Sequence, residues 1–155
     1  MKKQIYWEDV KAGQEIPSLT KIATTQALVK WAGASGDSNP LHYDNDFAVK
    51  FMGTGGVIAH GTLKRQWLIQ MLTDWAGDEG WLKRIQTQFR VMDYPRHMKT
   101  LGEPEDGDTL TCKGKVTGKS EKDGEHLVEL DIELVNGKGE VTTSGTATVM
   151  LPSKK

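Results

Sequence analysis

The chain carries a single cysteine, Cys112, among its 155 residues, so no intrachain disulfide can staple it. One unpaired thiol suits a reducing compartment. Long apolar runs are also missing, and the longest stretches fall far short of the roughly 20 residues that a membrane-spanning helix needs. Charge of one sign is scarce: 20 Lys and Arg offset 21 Asp and Glu, for a formal net charge of -1. That balance offers no field to gather nucleic acid or an anionic membrane, and no basic stripe interleaved with aromatics makes up for it. Internal repeats and low-complexity segments are absent from the sequence. The opening MKKQIYWEDV has two lysines with no apolar run behind them, which is not the make-up of a signal peptide. The expectation is a soluble cytoplasmic chain.

What is present is ordinary globular material, 37% apolar and 26% charged. The length supports one domain over residues 1–155 and is too short for two. The first 80 residues read as loop, short strand and two helices. One helix is predicted over 25–34, capped by Thr24 or Thr25, with Ala27, Leu28, Trp31 and Ala32 on its apolar face and Gly33 and Gly36 at its end. A longer helix is predicted from about His60 to Trp75, where Leu63, Trp67, Leu68, Met71, Leu72 and Trp75 recur at helical spacing. That stripe is read as core, and Gly77 as its stop.

The second half alternates with period two over 81–92, 108–119, 126–135 and 140–151. Asp123-Gly124 and Asn136-Gly137-Lys138-Gly139 are hairpin signals between the last three. The result is an antiparallel sheet with one face on the long helix. Cys112 falls in a strand and is read as a packing residue. Residues 93–107 fit neither period and form a long loop, either a solvated insertion or a partner-contacting element. His97 and His126 are read as solvated. Lys64, Arg65, Arg84, Arg90 and Arg96 are available to meet phosphates, though each alone reads as surface charge.

Chemistry concentrates in Ala34-Ser35-Gly36-Asp37-Ser38-Asn39-Pro40-Leu41-His42-Tyr43-Asp44. An Asp and a His five apart, on a turn stiffened by Asn39 and Pro40, can address one point. A histidine titrates near neutrality, and a buried carboxyl beside it can share acid and base roles. Next come Gly55, Gly56, Val57, Ile58, Ala59, His60 and Gly61, running into the long helix. Its first N–H groups lack internal partners and sit at the positive end of the dipole, where an oxyanion is held. Spacing alone leaves both readings open, an ordinary turn or a catalytic one. His42, Asp44 and His60 lack the compact spacing of a metal site, so no metal and no cofactor are expected.

SGDSNPLHYD at 35–44, followed by GGVIAHGTL at 55–63, resembles the signature of the MaoC-like dehydratases and R-specific enoyl-CoA hydratases. The order of elements agrees over about residues 16–151. The resemblance implies an α+β hot-dog fold, an antiparallel sheet wrapped around a long central helix. It implies reversible syn addition of water to a trans-2-enoyl thioester, giving an (R)-3-hydroxyacyl thioester, with Asp37 and His42 as the catalytic pair and Asn39 orienting water or the loop. Gly61 is implied as the backbone donor to the thioester carbonyl, with Gly56, Ile58, Ala59 and His60 lining the substrate. It further implies an acyl-CoA or acyl carrier protein thioester as ligand and a homodimer or higher assembly, with a heteromer also compatible. Alternatives are a thioesterase on the same fold, for which Asp74 lies poorly near a helix end, and an acyl-binding subunit of a heteromeric dehydratase. The long 93–107 segment departs from the short connection usual in the family.

Overall fold

The structure is a computed structural model that describes residues 4–95, 98–100, 103–104 and 109–154. After a short 3-10 turn at Trp7–Asp9 come β1 (Glu15–Ile22), α1 (Thr25–Ser35), a second 3-10 turn (Pro40–His42), α2 (Asn45–Lys50) and α3 (Gly61–Ala76). The strands β2 (Trp81–Phe89), β3 (Met98–Thr100), β4 (Glu103–Pro104), β5 (Thr109–Lys122), β6 (Glu125–Val135) and β7 (Val141–Met150) follow. One five-stranded antiparallel sheet runs in the order β1-β5-β6-β7-β2, and β3 pairs with β4. This is the hot-dog arrangement, a sheet curled around α3.

Period-two patterning does what it predicts. Leu110, Cys112 and Val116 of β5, Val128, Leu130, Ile132 and Leu134 of β6, and Ala147 and Val149 of β7 all point inward and are buried. They meet Leu63, Trp67, Leu68, Met71, Leu72 and Trp75 of α3 in one core. Leu68 and Leu72 are wholly buried, and each such side chain contributes about 1.5–3 kcal/mol of transfer free energy. Gly114 lets the helix come close: a Cβ there would lie 2.9 Å from the Ile16 side chain and 3.3 Å from that of Met71. Cys112 is core as expected, and burial pushes its thiol up to about 12, so it is no nucleophile.

The two hairpin signals hold. Lys122 pairs with Glu125 across Asp123 and Gly124, both at positive φ (54° and 79°), the backbone of a type I′ turn. Asn136 closes the next turn by accepting from the Lys138 and Glu140 N–H groups. Five features go beyond or against the sequence reading. β2 does not neighbour β5; it pairs with β7 at the edge opposite β1, because α3 carries the chain beneath the sheet before β2 begins. β1 joins the sheet as its fifth strand. A third short helix, α2, follows the Asp37–Asp44 loop, with the Asp44 side chain accepting from Phe47 N–H as its cap. The 93–107 segment is not wholly irregular, since it includes the β3–β4 pair; much of it, with Arg96 and His97, lies outside the described residues. His126 is only half solvated: its ring lies 4.9 Å from that of Trp7 and its Nδ1 is buried.

Candidate active site

Local rules build the loop that carries Asp37. Thr24 caps α1 by accepting from Ala27 N–H. Gly36, at φ 76°, ends the helix in the left-handed region that other residues avoid. The chain then reverses at Asn39, whose side-chain oxygen accepts from Leu41 N–H at 3.0 Å, and Pro40 opens the 3-10 turn. Tyr43 closes the loop from outside, its hydroxyl donating to the Ser38 carbonyl at 3.0 Å. This turn delivers His42, 9% exposed, inward.

His42 Nδ1 lies 2.7 Å from the Ile58 carbonyl oxygen. A carbonyl only accepts, so Nδ1 carries the hydrogen and the neutral ring keeps its lone pair on Nε2. His60 caps the N-terminus of α3 and is wholly buried. Its Nε2 donates to the Asp37 carbonyl at 3.2 Å, while its Nδ1 is buried without a partner among the described residues. The two imidazoles stack, with centroids 3.6 Å apart and planes inclined by 21°. Burial lowers the His60 pKa, and the neighbouring His42 lowers it further against the opposing pull of the Asp37 carbonyl and carboxylate. His60 is therefore a neutral platform under His42 and a tether for the Asp37 backbone.

Asp37 is the most open of the three, and one nitrogen or oxygen from each of Asp37, His42 and His60 falls within 4.8 Å of the others. A metal sits about 2.0–2.1 Å from a ligating nitrogen, in the plane of each ring. Nearly parallel planes stacked 3.6 Å apart do not meet there, so the geometry suits a proton-transfer pair better than a chelate.

Gly61 is the first residue of α3, and the first helical bond is made by Lys64 N–H to the His60 carbonyl. The N–H groups ahead of it have no acceptor inside the helix. A side chain at Gly61 would collide with the Phe89 ring, since its Cβ would lie 2.7 Å away. Trp31 of α1 steadies this turn by donating its indole N–H to Thr62 Oγ1 at 3.0 Å.

A cavity of about 270 Å³ opens here, with His42, Ile58, Ala59 and Gly61 on one side and Lys64, Phe89, Arg90, Val91 and Met92 on the other. A larger hollow of about 1000 Å³ lies across the sheet strands and contains none of Asp37, His42, His60 or Gly61. Of the eight residues singled out from sequence, His42, Ile58, Ala59 and Gly61 share the cavity lining, and Asp37 and His60 adjoin it through His42. Asn39 is exposed, with its oxygen committed to the turn. Gly56 is buried outside the lining at φ 151°, where a Cβ would lie 3.3 Å from the Asn45 side chain; it shapes the approach to α3.

Sequence reasoning missed the opposite wall. Lys64 is not surface charge: its side chain is 3% exposed and paired with the fully buried Asp93 at 2.7 Å. A signal existed, because Lys64 falls on the same helical stripe as His60, Trp67, Leu68 and Met71. Phe89 and Met92 sit at the end of a strand-like run whose alternation gives no hint that it abuts a helix start.

A curated (R)-specific enoyl-CoA hydratase of Rhodospirillum rubrum is 28% identical over 149 residues, spanning 96% of this chain and 93% of that one. The R-hydratase PhaJ1 of Pseudomonas aeruginosa in its unliganded form superposes with a TM-score of 0.80 at 23% identity, covering 97% of this chain and 88% of that one. A chain of the ChsH1-ChsH2 complex of Mycobacterium tuberculosis superposes with a TM-score of 0.74 at 24% identity, covering 91% of this chain and 98% of that one. The family model of the MaoC like domain matches residues 9–138, and the chain belongs to that family of MaoC-like dehydratase domains.

Proposed function

We propose that the protein is an acyl-thioester hydratase/dehydratase that adds water reversibly to a trans-2-enoyl thioester to give an (R)-3-hydroxyacyl thioester. The observation that carries this reading is one cavity holding a histidine with its free nitrogen defined, an adjacent loop carboxylate and a helix-start N–H. In the hydration direction a water lies between the Asp37 carboxylate and His42 Nε2. As its oxygen bonds to the β-carbon, one of its protons passes to this pair. The electrons of the double bond move toward the thioester oxygen, where the Gly61 N–H and the dipole of α3 stabilise the enolate. The pair then returns a proton to the α-carbon. Removing one such backbone donor raises barriers by about 3–4 kcal/mol, comparable to the loss of an acid or base.

The R-hydratase relatives support this assignment, and so does the source of the carboxylate. It comes from the loop beside His42 and not from α3, whose Asp74 lies near the far end from the cavity. The ligand is a coenzyme A or acyl carrier protein thioester, and the working unit is a homodimer or higher assembly.

The test is purified protein with crotonyl-CoA and longer enoyl-CoAs, following loss of enoyl absorbance beside thiol release. Water addition without thiol release is expected. Thiol release without water addition overturns the reading in favour of a thioesterase, and neither reaction on any enoyl-CoA favours a non-catalytic acyl-binding subunit.

A further inference from the structure

The second wall of the cavity contains a buried ion pair that the proton chemistry does not use. Lys64 lies one turn after Gly61 on α3. Its ammonium donates to Asp93 Oδ2 at 2.7 Å and to the Val91 carbonyl at 3.0 Å. From the other direction, Ala59 N–H donates to the Asp93 carbonyl at 2.8 Å. Three bonds thus tie residues 91–93 to the stretch 59–64 that carries the helix-start donor. The chain needs such ties, because past Phe89 it has left the sheet: Arg90 and Val91 N–H both reach the Thr142 carbonyl, and nothing pairs in register beyond them.

Stability is a poor reason for the pair. Two charges with side chains 3% and 0% exposed have both lost their water, and well-packed apolar residues of similar volume commonly do as well or better. The pair is also incompletely satisfied, since Asp93 Oδ1 is buried with no partner among the described residues. What an ion pair supplies that a Leu–Met contact does not is registry, a fixed length and direction between two backbones. Here that registry decides where Val91 and Met92, 40% and 52% exposed, stand opposite His42 and Gly61.

We infer that the Lys64–Asp93 pair is a positioning device that fixes the 91–93 segment as the far wall of the acyl chamber and so sets which chain lengths reach His42 and Gly61. This rests on the hydratase reading. A 270 Å³ space is small for a site that takes an acyl chain. With its wall held by three bonds, it favours short chains.

Three proteins separate positioning from mere structure: the parent, Lys64→Met and Lys64→Met/Asp93→Leu. The single variant leaves a buried carboxylate unpaired and lowers Tm. The double variant removes both charges and regains most of that loss. The kcat/KM ratio of crotonyl-CoA to trans-2-octenoyl-CoA is expected to shift about fivefold or more toward the longer chain in the double variant, a size typical of one reshaped apolar contact. A double variant that regains both the parent Tm and the parent ratio overturns the inference. If the double variant does not fold, the ratio is read in Lys64→Met, which removes both ties made by the ammonium, and a parental ratio there overturns the inference. Dissociation constants of butyryl-CoA and octanoyl-CoA give the same ratio without turnover. A parent that binds both but hydrates nothing refutes the hydratase reading and leaves the chamber testable through those constants. A parent that binds neither overturns both.

Discussion

His42 and His60 are the same residue type, stacked on one another, and the structure gives them different work. His42 keeps Nε2 toward the cavity because Ile58 holds its Nδ1–H. His60 is buried, and its ring supports its neighbour. If the pair Asp37 and His42 carries proton transfer, Asp37→Asn and His42→Ala each lower kcat by roughly 100- to 10,000-fold while circular dichroism stays that of the parent. Near-parental turnover in both removes them from the chemistry. His60 makes a separate prediction through stability. Burial holds its folded pKa below the ordinary imidazole value of 6.5, so as pH falls through that value the unfolded chain takes up a proton that the folded chain does not. Folding free energy is retained above that pH and lost below it. Urea melts at about pH 8 and about pH 5 are expected to show a smaller acid loss for His60→Phe than for the parent. Equal losses would mean that His60 is charged at little cost in the fold.

At the scale of elements, α3 serves two ends. On the proposed function its N-terminus is chemical and its body is structural, and the two are coupled because the same helix places Gly61 and packs under the sheet. Leu68, with 0% exposure, sits mid-helix in the core. Leu68→Ala is expected to cost about 2–5 kcal/mol in chemical denaturation, with KM for enoyl-CoA nearly unchanged where the fold persists. A large KM effect with little loss of stability would show that the helix body does not simply carry the site. The 91–93 segment is the other element at stake. There, exchanging the Lys64–Asp93 pair for apolar residues is expected to move chain-length preference more than stability.

At the scale of the whole molecule, the sheet ends in an edge. β2 pairs with β7 on one side only, and Trp81 and Phe89 along it are 65% and 49% exposed, with Met92 beyond at 52%. Lys83, Arg84 and a register shift between Leu82 and Arg84 guard the middle of this edge, while large apolar side chains are exposed at its two ends, and such patches are surfaces for pairing. Light scattering on the purified chain is expected to report a dimer or a multiple of one. A monomer at all concentrations would count against a homodimer as the working unit.

Local rules explain how much of this was readable. Thr24 and Gly36 as caps, Asp123-Gly124 as a turn, the α3 stripe and the alternation of β5, β6 and β7 depend on neighbours within a few residues, and each appears in the structure where the sequence places it. The Asp37-Ser38-Asn39-Pro40-Leu41-His42 turn was legible for the same reason, and its two-part motif pointed to the family. Contacts between distant segments were not legible. Nothing near Phe89 in sequence says that its ring rests on Gly61, and nothing near Asp93 says that it meets Lys64. β2 pairs with β7 across more than fifty residues, a choice made by the path of α3 beneath the sheet. The sequence by itself thus determined the elements, the turn from Asp37 to His42 and the helix that begins at Gly61, because these follow from periodicity and turn chemistry. Only the tertiary structure decided the far wall of the cavity, the stacking of His60 on His42 and the burial of Lys64, because each depends on which surfaces close over one another once the sheet wraps the helix.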